Sequence, residues 1–165
     1  MQILPIFLAA ITTVLTGCAV FPRSPSVIAG NSPDTLHYES LAFPGSEKTT
    51  FDVGKGVITK RYHGHDWDGH DPVVQRRRMP SEVEWKKFWQ TMDSLHLWDW
   101  KASYYDPDMM DGHAWRMSCC IHSHRIKSDG SNAYPRLGHP QKTTSDNAAF
   151  SRLTSALEKL VDPGN

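Results

Sequence analysis

The chain has 165 residues, with 18 basic and 18 acidic side chains and nine histidines, a length that fits one globular domain once a targeting segment is set aside. A formal net charge of zero gives no electrostatic footprint for nucleic acid. A hydrophobic content of 39%, with six Trp and six Phe, is enough to build a packed core and excludes disorder as the default state.

In chain order, the first element is an export signal. Residues 1–18 carry no charged side chain, and Ile3 to Val14 form an apolar run broken only by Pro5, Thr12 and Thr13. The run is too short for a permanent bilayer-spanning helix but suits the apolar region of a signal peptide. It ends in Leu15-Thr16-Gly17-Cys18, which resembles the lipobox of bacterial lipoproteins. The resemblance implies removal of residues 1–17, a diacylglyceryl group on the Cys18 thiol and acylation of the new amine, so that the lipid bilayer is a partner. Several acyl chains anchor firmly where one holds only marginally. The segment departs from the lipoprotein pattern in having no Lys or Arg before the apolar run. Ala19, standing where Asp would retain such a protein on the inner membrane, implies the outer membrane with the domain in the periplasm.

Phe21 to Pro33 is rich in Pro, Ser, Gly and Asn, so residues 18–34 read as a lipidated Cys and flexible tether, with the folded domain at 35–165. Lys48 to Val53 and Val57 to Tyr62 are β-prone runs around Gly54-Lys55-Gly56 and predict a hairpin. His63 to Pro72 reads as a polar loop, and Arg76-Arg77-Arg78 as a solvated edge. Ser81-Glu82-Val83-Glu84 is a capping box, and Trp85, Phe88, Trp89, Met92 and Leu95 then recur at helical spacing.

A loop is expected from Lys101 to Gly112. Trp115, Met117, Cys119 and Ile121 alternate with polar neighbours, the pattern of a half-buried strand, which is expected to pair with one over Arg125 to Ser128. Asp129 to Asn132 reads as a turn. A last amphipathic helix runs from about Ser145, with Phe150, Leu153, Leu157 and Leu160 on one face, and stops at Asp162-Pro163-Gly164. The fold class is α+β: a small antiparallel sheet with two amphipathic helices packed on one face.

Three groups of residues could carry chemistry. His63-Gly64-His65-Asp66-Trp67-Asp68-Gly69-His70 is dense in donors, so His63, His65, Asp66, Asp68 and His70 are candidate ligands for a transition metal, zinc or copper. Cys120, His122 and His124 would share one face of a continuous strand and form a second candidate set. No known zinc spacing is matched, and a polar surface loop with a solvated strand face is the alternative. Trp98-Asp99-Trp100, near Tyr104-Tyr105, sets aromatic rings beside carboxylates. Trp98 and Trp100 could stack on sugar rings, peptidoglycan being the natural glycan of an envelope protein, and core packing is the alternative.

Asp106-Pro107-Asp108 leads into Asp111-Gly112, but the third acid comes one residue late for an EF-hand and Met117 stands where a bidentate Glu is needed. It reads as an Asp-rich turn. With Cys18 lipidated, Cys119 is expected as a buried small hydrophobe and Cys120 as its outward neighbour. No Gly-x-Ser-x-Gly, Ser-x-x-Lys, His-Glu-x-x-His, Cys-x-x-Cys or phosphate loop is present.

Trp98-x-Trp100, Tyr105, Asp111-Gly112-x-x-Trp115 and Gly130-Ser131-Asn132-Ala133-Tyr134-Pro135 together resemble a family of small uncharacterised bacterial proteins, over roughly residues 80–160. The resemblance implies no activity. It implies structural turns in which Gly112 and Gly130 supply turn dihedrals and Pro135 ends a strand. The expected function is a membrane-anchored binding or envelope-structural module, with an envelope protein or peptidoglycan as partner. A periplasmic metal-binding protein is one alternative; a glycan-binding module or inhibitor of a glycan-cleaving enzyme is the other.

Overall fold

In the computed structural model, which describes residues 30–42, 47–64, 73–109 and 112–164, the chain reaches its first strand through five docked residues. Asn31 accepts the indole N–H of Trp89 on its carbonyl oxygen at 2.7 Å, and the Asp34 carboxylate accepts the His122 amide at 2.9 Å. The last residues of the expected tether, from Asn31 to Asp34, therefore belong to the folded unit.

The strands are β1 (Thr35–Ala42), β2 (Glu47–Gly54), β3 (Val57–His63), β4 (Val73–Arg78), β5 (Ser103–Tyr105), β6 (His113–Ile121) and β7 (His124–Ser131). They form one seven-stranded sheet in the order β4-β3-β2-β1-β6-β7-β5. A separate hairpin pairs β8 (Tyr134–Arg136) with β9 (His139–Thr144). The α+β class holds, but the sheet is larger than expected and mixed, because β5 runs parallel to β7 while the other pairs are antiparallel.

Local chemistry accounts for the turns. Gly54 pairs with Val57 across Lys55 and Gly56, whose φ angles of 52° and 77° are both positive, as a twist-matched two-residue hairpin requires. Helix α1 (Glu82–Ser94) starts on the expected capping box: the Ser81 hydroxyl accepts the Glu84 amide, and the Glu84 carboxylate accepts the Ser81 amide at 2.8 Å. Helix α2 (Ala148–Val161) buries Phe150, Leu153, Leu157 and Leu160 as its spacing dictates.

Register assigns the faces, because cross-strand partners point the same way. Leu36 and Tyr38 of β1 face Val53 and Phe51 on one side and Cys119 and Met117 on the other. These side chains, with Ile58, Trp115, Ile121 and Ile126, form the inner face of a core closed by the two helices. Phe150 of α2 lies 5.7 Å from Tyr38 and 5.3 Å from Trp115 between ring centroids. At the β4 edge, the inner face turns polar and is tied to the helices by ions. Lys60 meets Glu158 at 2.5 Å, Arg76 meets Asp162 at 2.7 Å, and Arg78 grips Glu84 and the Leu160 carbonyl.

Arg76 to Arg78 end an edge strand, with Arg76 and Arg77 exposed as a solvated edge requires, while Arg76 also pairs with Asp162 and Arg78 with Glu84. Three other local expectations are corrected. The Lys101–Gly112 segment contains β5, which was hidden because three residues carry no legible alternation. Asp129 to Ser131 is the end of β7, not a turn; the turn conformation falls on Asn132, at φ 54°. Gly130 is there for clearance, not dihedral freedom: a Cβ would sit 2.3 Å from Trp115 Nε1 and 2.5 Å from the Ala133 carbonyl. At Gly112 a Cβ would likewise meet the Asn132 side chain.

Candidate functional site

Of the first proposed metal set, His63 ends β3 on the outer face of the sheet, paired with Lys48 and Val73. His65, Asp66, Asp68 and His70 lie outside the described residues. The second set does not share a face. The chain reverses at His122-Ser123, with His122 at φ 51°, so Cys120 pairs with Arg125 on the outer face while His124 pairs with Ile121 on the inner one. His124 lies against the Trp98 ring at 5.4 Å. A hairpin thus replaces the continuous strand that would have aligned Cys120, His122 and His124. Among the described residues, no group of three or more potential ligands comes together.

The two tryptophans also part. Leu97–Asp99 forms a 3-10 turn that sends Trp100 into the core, where it packs edge-on against Trp115 at 5.8 Å and donates to the Leu95 carbonyl. Trp100 is therefore no sugar platform. Trp98 is half-buried between Trp89, stacked at 6.1 Å, and His124, so its ring contacts are intramolecular. Tyr104 is buried, with its hydroxyl donating to the Pro140 carbonyl, and Tyr105 is exposed. The Asp106 carboxylate accepts the Asp108 amide at 3.1 Å, as expected of an Asp turn.

Sequence reasoning missed a polar chain under α2. Ser40 Oγ lies 2.9 Å from His113 Nε2, and Tyr134 OH lies 3.2 Å from His113 Nδ1. The pairing of β1 with β6 joins residues that are 73 apart in sequence, and no local motif announces it. Burial lowers the His113 pKa, so a neutral imidazole can accept the Ser40 hydroxyl proton. The chain ends, however, on a phenol whose own pKa burial raises. A neutral phenol does not stabilise an imidazolium as a carboxylate would. Phe150 closes over His113 edge-on at 5.1 Å. This geometry ties β1, β6 and β8 together at one end of the sheet.

The outer face of the sheet is the other feature the sequence did not announce. Alternation and register put Lys48, Arg61, Arg77, Arg116, Arg125 and Lys127 on it against Glu39, Asp52 and Asp129, six cations to three carboxylates. Asp52 binds His37 and Arg61, each at 2.7 Å, and Glu39 binds Lys48 at 2.8 Å. Hydrogen bonding to Lys48 and the nearby Arg116 charge hold the Glu39 carboxyl below its usual range. Arg116 is also register-paired with Asp129. Arg77, Arg125 and Lys127 are exposed and make no ion pair among the described residues. Beside Arg125 and Lys127, an open hollow of about 460 Å³ is lined by Thr35, Ser118 and Cys120.

No protein-family model matches the chain, and no curated protein matches it.

Proposed function

We propose that the protein is a lipoprotein anchored through acylated Cys18, presenting a binding or envelope-structural domain from the surface of a bacterial membrane. The observation that carries this reading is the placement of Leu15-Thr16-Gly17-Cys18 at the end of a charge-free apolar run. Eleven residues, 19–29, lie between that cysteine and Gly30, the first described residue. Fully extended, such a tether reaches about 40 Å, enough to let any face of the domain meet the membrane. Among the described residues, no helix is long and apolar enough to cross a membrane. Anchoring by acyl chains needs no such helix.

A binding role is supported by where the polar chemistry lies: on a strand face whose excess cations stand on two strands, Arg77 on β4 and Arg125 and Lys127 on β7. The test is metabolic labelling of the full chain with a tagged fatty acid, followed by detergent phase partition. Label on the wild type and none on Cys18→Ser, with the mutant retained as an unprocessed precursor, is the expected result. Label persisting on Cys18→Ser would sink the reading. Elemental analysis of chelator-free protein separates it from metal handling, which requires about one zinc or copper per chain.

A further inference from the structure

We infer that the outer face of the sheet docks on anionic phospholipid, with lipid phosphates seated in the hollow between Arg125 and Lys127. The inference rests on the anchored-lipoprotein reading, which keeps the domain within tether reach of headgroups. The chain as a whole is neutral, yet among the described residues this face holds six cations to three carboxylates. Each carboxylate of the face already has a cationic neighbour: Asp52 has Arg61, Glu39 has Lys48, and Asp129 has Arg116. Among the described residues, what remains without an acidic partner is Arg77 on β4 and Arg125 and Lys127 on β7, at opposite sides of the sheet.

An anionic plane neutralises charges spread in this way better than a compact ligand does. Seven strands at about 4.8 Å spacing span roughly 30 Å, the scale of several headgroups. The hollow supplies what a phosphate needs besides charge. Thr35 and Ser118 bring hydroxyl donors to its wall, and Arg125 offers a planar fork that can hold two phosphate oxygens at once. Both helices pack on the opposite face, and among the described residues no helix covers this one.

The test uses the mature chain, residues 18–165, carrying Cys18→Ser so that no acyl chain contributes. It is sedimented with vesicles of phosphatidylcholine containing phosphatidylglycerol, and with vesicles of phosphatidylcholine alone. Binding to the anionic vesicles only, weakening as salt is added, is expected. Each basic residue at an anionic surface contributes about fivefold, so Arg125→Ala/Lys127→Ala should bind about 30-fold more weakly. Lys86→Ala/Arg152→Ala, away from the face, should bind as the parent does. Equal binding to both vesicle types, unchanged binding by the Arg125/Lys127 variant, or binding to soluble polyphosphate with none to vesicles would overturn the inference. Failure of the anchor itself is read separately, from fatty-acid labelling of the wild type.

Discussion

The Trp115 ring packs against Gly130 of the neighbouring strand, occupying the space where a side chain would stand. From that position the indole donates to the Ala133 carbonyl at 3.0 Å, one residue past the Asn132 turn. Asn132 closes the same corner from the other side: its amide donates to the His113 carbonyl, and its side-chain oxygen accepts the His113 amide at 2.7 Å. Gly112 and the Asn-x-Tyr-Pro motif thus meet in one packing unit. Gly130→Ala would force the indole or the carbonyl aside, and neither is a flexible chain end. Overpacking of this kind costs about 1–3 kcal/mol, which urea unfolding would register as a lower midpoint with unchanged slope. An unshifted midpoint would show that the ring does not sit on Gly130.

The first helix is held by Glu84, which serves as both capping-box acid and partner of Arg78. The Ser81 amide and the Arg78 guanidinium hold its carboxyl down to about 2. A carboxyl depressed on folding stabilises the protein fully above its unfolded value near 4.5, and that contribution is lost as pH falls toward 2. Glu84→Gln should therefore flatten the stability curve between those values. Ser81→Ala should cost about 1 kcal/mol at neutral pH, measured by thermal unfolding.

His113 produces a second pH dependence of the same sign, in a different window. Burial lowers its pKa, and its neighbours Ser40, Tyr134 and Phe150 supply no negative charge. Protonation thus favours the unfolded chain, so the contribution is complete above the unfolded histidine value of about 6.5 and lost as pH falls below it. The difference between wild type and His113→Gln across that range isolates the effect from the other histidines. A constant difference would mean that the imidazole titrates normally.

How far the sequence spoke depended on whether a signal was local. The capping box at Ser81 and the apolar spacing of α1 and α2 are decided within a few residues, and the structure follows them. The alternation of β6 is equally local. β4 was not legible because Val73–Arg78 is an edge strand, exposed on both sides, whose arginines mimic a solvated run. Trp-x-Trp looked like a paired platform, but the 3-10 turn at Leu97–Asp99 sends Trp100 into the core and leaves Trp98 half-buried. Ser40–His113 and the cationic face arise only from register, which places distant segments side by side. His122 shows the converse error: a two-residue spacing aligns side chains only where the strand does not turn.

Trp89 tests the helix face itself. It packs edge-on against Phe88 at 5.0 Å, stacks on Trp98 and donates to the Asn31 carbonyl, joining α1 to the entry segment. Trp89→Ala removes a buried aromatic and leaves that carbonyl without its donor. A loss of about 3–5 kcal/mol is expected in equilibrium unfolding. An unchanged curve would place this residue outside the core.

Cys119 and Cys120 report the two faces of β6 by their reactivity. Burial, acting with nearby Cys120 and Asp34, pushes the Cys119 thiol up to about 12, so at pH 8 it is protonated as well as shielded. Cys120 is half-exposed on the outer face, and adjacent strand positions point to opposite sides, which is why the two thiols stay free. Iodoacetamide applied to the native protein should therefore alkylate Cys120 and spare Cys119, as peptide mass spectrometry would show, while denaturant exposes both. Comparable labelling of both in the native state would mean that β6 does not present alternate residues to core and solvent. The inner core and the cationic outer face would then have to be reassigned together, since both depend on that one register.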